Sequence, residues 1–284
     1  NKRNTILIMA LFVAIISAIG WVVGNYYGNS NITYYVMAGA ALYALVQYFL
    51  ATSLTIAMTG ARQVEKRDNP RLYRIVENLA ITIGMPTPKI YIIDDPSPNA
   101  MATGRDPQHA IVAATSGLLD LMDDRELTAV MAHEMGHIQN YDIRLSMIIF
   151  GLVSAIGFLT QISLRTFAYN DDRDSDSSPI TLIVGLVILI LAPIVSAMVQ
   201  MAISRQREYL ADATSAMTTR DPEGLVSALE KLQGVKNPMR KQNSATAHLF
   251  FSNPLKPGMV AKLFSTHPPL PERIARLKDN EGKF

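Results

Sequence analysis

Four long stretches with almost no charge constrain the fold of this chain more than any other feature of its sequence. Residues 5–23, 33–58 and 180–203 contain no charged side chain, and residues 143–164 contain only Arg144. A helix needs about 20 predominantly apolar residues to cross the hydrocarbon core of a bilayer. Apolar residues make up 49% of the chain and charged residues only 18%, which is unusual for a soluble protein. The pattern therefore predicts four membrane-spanning helices.

The predicted spans form two hairpins and split the soluble part of the chain. We expect an N-terminal membrane hairpin (residues 1–60), a first soluble part (61–142), a second hairpin (143–203) and a second soluble part (204–284). Two alternatives remain open. The first stretch could be a signal peptide, although no convincing cleavage site follows it. The third, which Ser and Gln residues interrupt, could be a buried helix of the soluble domain.

The lysines and arginines near the ends of the apolar stretches predict the orientation in the membrane. Lys2 and Arg3 precede the first stretch, and basic residues also follow the second and fourth stretches. The loop after the third, at residues 171–176, is net acidic. Because cytoplasmic loops are enriched in Lys and Arg, we expect both termini and the central segment to lie in the cytoplasm.

The sequence His133-Glu134-Met135-Gly136-His137 is an H-E-x-x-H motif. Residues four apart share one face of a helix, so His133 and His137 can direct imidazole nitrogens at one metal ion. Glu134 lies about 100° around the axis from His133, beside the ion. It can accept a proton from a water molecule whose pKa zinc lowers to about 7. The motif predicts a zinc peptidase with Glu134 as the catalytic base.

A third metal ligand must come from elsewhere in the chain. The longer motif that ends in a third histidine is absent, since Asn140 and Ile143 stand at the required positions, and the chain contains no cysteine. Glu208 and Asp212 are four residues apart and follow the fourth stretch. Alone, this pair is more typical of a solvated acidic face. An antiparallel hairpin would bring it level with the histidines, so Glu208 could be the third ligand and Asp212 could orient a histidine.

The soluble parts contain helices and a few short strands. Asn69-Pro70 predicts a helix start and Gly84 its end, while Asp123 and Glu126 have the spacing of a capping box before the metal helix. Residues 89–93, 99–104 and 109–115 are typical of strands. We predict a mainly α membrane protein with a small antiparallel β-sheet. Its gluzincin-type zinc peptidase domain would be split by a transmembrane hairpin.

These motifs together resemble the membrane zinc metallopeptidases of the HtpX family, relatives of the prenyl-protein endopeptidases that process CAAX termini. The similarity covers nearly the whole chain. Besides the H-E-x-x-H and R-E-x-x-A-D motifs, it includes Ser97-Pro98-Asn99-Ala100-Met101-Ala102-Thr103-Gly104, Thr115-Ser116-Gly117-Leu118-Leu119, His137-Ile138-Gln139-Asn140 and Ser265-Thr266-His267-Pro268-Pro269. The resemblance implies one Zn²⁺ per chain, held by His133, His137 and Glu208. It also implies an edge strand around Asn99 that pairs with extended substrate, and His267 near the substrate backbone.

The resemblance further implies a bacterial inner-membrane enzyme that degrades misfolded or membrane proteins in stress-related quality control. Two other functions remain open from the sequence: CAAX-type processing of lipidated proteins, and a non-hydrolytic metal-binding scaffold or transporter. The scaffold would leave Glu134 unexplained. Asn99 could also be a turn residue, and His267 could simply precede a helix. A net charge of +2 is too small to favour nucleic acid as a partner, and the oligomeric state is undetermined.

Overall fold

The computed structural model describes residues 31–151, 205–235, 237–254 and 268–280, together with a few isolated positions. These residues form helices around a small sheet. The helices are α1 (Asn31–Thr59), α2 (Pro70–Ile83), α3 (Ser116–Leu121), α4 (Asp124–Gln139), α5 (Arg205–Thr219), α6 (Pro222–Gln233), α7 (Ser244–Ala247) and α8 (Leu270–Asp279). Residues 142–151 are also helical. The strands are β1 (Arg62–Gln63), β2 (Lys89–Ile93), β3 (Ala100–Gly104) and β4 (Ala110–Thr115).

The first soluble helix begins and ends where the sequence predicts. The Asn69 side chain accepts a hydrogen bond from the Leu72 amide, and Pro70 occupies the first turn, where its missing N–H is harmless. Gly84 ends the helix in the left-handed conformation, with φ 67°, which glycine adopts without steric cost. Local capping chemistry thus defines α2, which buries Leu72, Val76 and Leu79.

The sheet is mixed, and the prediction of an antiparallel sheet was therefore wrong in part. The strand order is β1-β2-β4-β3. The β1–β2 and β3–β4 pairs are antiparallel, but β2 and β4 are parallel. The β3–β4 hairpin folds back so that β4 lies between β2 and β3. The whole of β4 is buried, as is typical of a central strand covered on both faces.

The metal helix α4 lies at the centre of the soluble core. Its buried residues include Leu127, Val130, Met131, Met135 and Ile138. They pack in one cluster with residues of α2, the sheet, α6 and α8. Burial on nearly every side gives α4 a fixed position, which a site built from its side chains requires.

The predicted membrane spans fall largely outside the described residues. In the described ranges no single helix is long and apolar enough to cross a membrane. Two pieces of α1, Thr33–Tyr43 and Leu45–Thr59, meet at 41° and together have a suitable length and composition. The first, third and fourth stretches lie mostly outside the described ranges, apart from helical residues 143–151. That portion contacts α1, since the Tyr43 hydroxyl donates to the Gly151 carbonyl at 2.6 Å.

Candidate metal centre and active site

The H-E-x-x-H motif lies on α4, as predicted, and a complete capping box fixes the start of this helix. The Asp123 side chain accepts from the Glu126 amide at 2.8 Å, and the Glu126 carboxylate accepts from the Asp123 amide at 2.9 Å. His133 and Glu134 lie in the buried middle of the helix, and His137 lies near its C-terminal end.

A close approach of α4 and α5 brings Glu208 to the histidines. A Cβ atom at Gly136 would lie only 3.3 Å from the side chain of Thr214, so the absence of a side chain permits the contact. The Ser215 hydroxyl donates to the Ala129 carbonyl at 2.6 Å and fixes the same pair of helices. Glu208 thus reaches the histidines although it lies 71 positions after His137 in the sequence.

The three residues predicted to bind metal converge on one point. Nε2 of His133 lies 3.2 Å from Nε2 of His137. The carboxylate oxygens of Glu208 lie 3.8 Å from Nε2 of His133 and 3.6 Å from Nε2 of His137. Tetrahedral zinc with ligands at about 2.0–2.2 Å separates its ligand atoms by roughly 3.3 Å. The spacing of these atoms therefore fits a single ion of this size.

Two carboxylates orient the two histidines from behind. Nδ1 of His133 lies 2.9 Å from Oδ1 of Asp212, as the sequence predicted for that aspartate. Nδ1 of His137 lies 3.0 Å from Oδ2 of Asp142, a pairing that was not predicted. When each Nδ1 donates to its carboxylate, each Nε2 presents a lone pair to the shared centre. The 3.2 Å between the two Nε2 atoms is also close to the separation expected of two ligands of one zinc ion.

The surroundings of the two imidazoles affect their pKa values differently. Complete burial lowers the pKa of His133 to about 4, an effect that its hydrogen bond with Asp212 only partly offsets. Burial acts in the same direction on His137, but the hydrogen bond to Asp142 and the charges of Glu208 and Glu134 raise its pKa to about 9. His133 is therefore neutral and able to coordinate. The same carboxylates that raise the pKa of His137 would also stabilise a metal cation bound to its ring.

The net charge of the centre matches a divalent ion. Among the described residues around the histidines there are four carboxylates, from Glu134, Asp142, Glu208 and Asp212, and two guanidinium groups, from Arg207 and Arg273. When both histidines are neutral, as metal ligands must be, the group carries two excess negative charges. Buried charges persist only when they are compensated. A divalent cation would leave this group neutral.

Sequence reasoning missed the two arginines. Arg207 approaches Asp142, with Nε 3.8 Å from Oδ1. Arg273 is completely buried, and it binds Asp212 through two nitrogens. A usable clue was present in α8, where Arg273 stands on the same helix face as Leu270, Ile274 and Leu277. A charged residue in an apolar stripe requires a buried partner, and that requirement could have led to Asp212.

Of the two residues predicted to contact substrate, the structure describes only Asn99. Asn99 is 2% exposed, and its amide group bonds to both backbone groups of Ser252, at 2.8 and 3.0 Å. Its contact with substrate stays a prediction that requires residues near Ser252 to move. His267 lies outside the described residues. His248 is buried beside the same cavity, with Nε2 2.9 Å from the Ser146 carbonyl oxygen.

The family profile of peptidase family M48 matches residues 66–281, which include every residue of the centre. The chain belongs to peptidase family M48. It is a metallopeptidase, as the sequence predicted. Relatives named "Protease HtpX homolog" include one from Tropheryma whipplei (strain Twist), 52% identical over 100% of this chain and 97% of its own length. Another from Lactobacillus acidophilus is 42% identical over 98% of this chain and 97% of its own length. These similarities confirm the resemblance to the HtpX family.

A solved structure shares the fold. The crystal structure of S. mikatae Ste24p superimposes with a TM-score of 0.53 and 21% sequence identity, over 98% of this chain and 67% of that one. The mainly helical M48 architecture with a small sheet is therefore confirmed.

Proposed function

We propose that this M48 peptidase is a membrane-anchored zinc endopeptidase that hydrolyses peptide bonds in misfolded or membrane proteins. The observation that carries the proposal is the convergence of two carboxylate-oriented Nε2 atoms and the Glu208 carboxylate beside Glu134. Curated relatives that share nearly their whole length with this chain are named proteases of the HtpX type. Membrane protein quality control is the role that we assign by this similarity.

Zinc is the metal that the donor set favours. His133, His137 and Glu208 supply two imidazoles and one carboxylate, a set typical of catalytic zinc sites in peptidases. The interatomic distances and the excess of two negative charges also fit one Zn²⁺ per chain. A bound zinc ion would supply Lewis acidity, polarising a carbonyl group and lowering the pKa of water.

The protein residues have separate tasks in the proposed hydrolysis. Glu134 accepts a proton from the attacking water and delivers it to the leaving amine, as a general base and then a general acid. Asp212 and Asp142 hold the imidazole rings in one orientation and one tautomer. Glu134, His137 and Glu208 line one cavity of about 40 Å³, which places the proposed base beside two of the proposed ligands.

Extended substrate would bind along the outer edge of β3. This strand is the last of the sheet, and Ala102 on it lines the active-site cavity. We propose Asn99 and His267 as contacts to the substrate backbone. In the structure the edge is partly covered, because the Phe251 amide donates to the Ala100 carbonyl at 2.8 Å. Substrate binding at β3 therefore requires the segment that contains Phe251 to move away from the strand.

The proposed location is a bacterial cytoplasmic membrane, with several spans and with the catalytic parts and both termini in the cytoplasm. Many large apolar side chains of α1 are exposed, including Tyr34, Tyr35, Leu42, Leu45 and Phe49. Exposed apolar surface of this extent is typical of contact with lipid or with further helices. The distribution of Lys and Arg along the sequence supports the orientation.

Removal of the metal should abolish proteolysis. We expect the purified detergent-solubilised protein to cleave casein, to stop when a chelator is added, and to recover when excess chelator is removed and zinc restored. The cleavage is measured by release of labelled peptides, with a chelator already saturated with zinc as the control. Cleavage that persists in metal-free protein would reject the zinc mechanism.

A farnesylated CAAX peptide tests the alternative processing function, and bound zinc without any hydrolysis would favour the scaffold.

The orientation can be tested with single cysteines, since the natural chain has none. In intact cells, a membrane-impermeant maleimide should label Asp174→Cys and should not label Lys66→Cys, because the positively charged segment is retained in the cytoplasm. The Lys66→Cys protein should become labelled after the cells are permeabilised, which controls for reactivity. The opposite labelling pattern would reverse the proposed topology and place the active site outside the cytoplasm.

A further inference from the structure

The guanidinium group of Arg273 is the most deeply buried charge near the centre that the hydrolytic scheme leaves unused. The residue is 0% exposed. Its Nε donates to Oδ2 of Asp212 at 2.9 Å, and its Nη2 donates to Oδ1 at 2.6 Å. This two-bond geometry fixes the plane of the carboxylate, which a single-point ammonium could not do.

Arg273 and His133 share one oxygen of Asp212. Oδ1 accepts from Nη2 of Arg273 at 2.6 Å and lies 2.9 Å from Nδ1 of His133. Nη2 also lies 3.3 Å from Nδ1. The position of the guanidinium therefore determines where the carboxylate meets the imidazole, and so where Nε2 of His133 points.

Neighbouring groups hold Arg273 in place from two further sides. Its guanidinium carbon lies 4.7 Å from the ring centre of Phe251, and that ring makes an edge contact with His133 at 4.8 Å. Its remaining nitrogen, Nη1, lies 3.9 Å from Oε2 of Glu208. A rigid cation is thus inserted from α8 behind two of the proposed metal ligands.

We propose that Arg273 is a positioning residue that acts on His133 through Asp212. It fixes the carboxylate as an acceptor for Nδ1, and its charge balances that of Asp212. The imidazole that would bind the ion is then held by the Asp212–Arg273 ion pair, which has no net charge. The proposal rests on the metal site proposed above. It assigns a role to the C-terminal helix, because α8 supplies the countercharge without which Asp212 would be an uncompensated buried anion.

The charge balance makes a prediction about paired substitutions. Asp212→Asn leaves Arg273 as an uncompensated cation near the metal, and we expect zinc affinity to fall by about 10–100-fold. Adding Arg273→Met removes that cation together with its partner, and replacing both members of a buried ion pair by neutral residues is commonly tolerated. The double variant should therefore bind zinc at least about tenfold more tightly than Asp212→Asn alone, and it should unfold at a higher temperature.

Arg273→Met alone should lower kcat by about 10–100-fold with KM changed less than about threefold, because Arg273 is completely buried and its loss affects the orientation of His133. Arg273→Lys, which keeps the charge and loses the two-bond geometry, should recover part of kcat. The matched control is Arg276→Met, one turn further along α8, where the side chain is exposed over the ring of Tyr209. This control should keep wild-type kcat and zinc affinity.

Zinc affinity is measured by competition with a chromophoric chelator, and unfolding by circular dichroism of the same full-length samples. Losses of affinity that simply add in the double variant would overturn the proposal. So would a double variant that fails to fold where Asp212→Asn folds, or an Arg273→Met protein with the kcat of the Arg276→Met control. His133→Ala separates the two proposals: if it retains full zinc affinity, the metal site itself is wrong.

Discussion

Replacing Glu134 by Ala is expected to abolish peptide hydrolysis while the protein keeps its metal. Glu134 is buried beside the proposed ligands and lines the same cavity. A positioned general base contributes about 10²–10⁴-fold to the rate, so we expect kcat to fall at least to that extent. The variant should retain zinc, because His133, His137 and Glu208 all remain. Casein cleavage and metal content are measured on the same preparation.

The matched control for this variant is Gln139→Ala, at an exposed position near the end of the same helix. It should change neither quantity. If Glu134→Ala loses zinc as completely as His133→Ala does, Glu134 is a ligand and its assignment as the base is wrong. The inactive, metal-loaded variant would also hold substrates without cleaving them, which makes it suitable for identifying natural substrates by proteomics.

Glu208→Gln is expected to weaken zinc binding by more than about 100-fold. The substitution removes the proposed charged ligand, whereas changes to groups that only orient a ligand typically cost about 10–100-fold in affinity or activity. It also raises the net charge of the centre by one unit, which opposes the binding of a cation. The zinc affinity of Glu208→Gln should therefore be clearly lower than that of Asp212→Asn in a direct competition assay.

An exposed glutamate on a neighbouring helix serves as the control. Glu230→Gln on α6 removes only a surface ion pair with Lys278, and such pairs are worth little. Zinc affinity should be unchanged in that protein. If Glu208→Gln keeps wild-type affinity, another residue supplies the third ligand, and Asp142 and His267 become the next candidates.

The active-site cavity is too small to hold a peptide chain. A space of about 40 Å³ is sufficient for a water molecule but not for a peptide chain. His248, Leu249 and Phe250 line it, and Met101 on β3 forms a bridge with Phe250. These three residues belong to the segment between α6 and α8. The structure shows that part of it pairs with the strand that we propose for substrate.

Interactions between residues close in sequence made several predictions reliable. The capping box at Asp123 and Glu126 and the Asn69 cap each involve residues three positions apart, so the motif defines the contact. The shared face of His133 and His137 follows from helix geometry in the same way. Strand positions were also predictable from apolar runs bounded by turns. Strand direction was not, because the pairing of β2 with β4 depends on how the β3–β4 hairpin folds back.

The pairing of Asp142 with His137 depends on a local break in the helix, which helical periodicity does not predict. Asp142 lies five positions after His137, a spacing that places two side chains on different faces of a continuous helix. The helix ends at Gln139, and Tyr141 adopts a positive φ of 59°. This break redirects the chain so that the Asp142 carboxylate reaches Nδ1 of His137. No periodic pattern contains that information.

By itself, the sequence determined the chemistry available to this protein: two histidines and a glutamate on one helix, a second acidic motif, and the family to which they belong. The tertiary structure decided which of these groups meet. Glu208 reaches the histidines because Gly136 lets two helices approach, and Arg273 reaches Asp212 across 61 residues. Helical periodicity is a short-range property, whereas the balance of buried charges is set by packing between distant segments. The folded structure therefore adds two arginines and the Asp142 carboxylate to the centre that the sequence predicted.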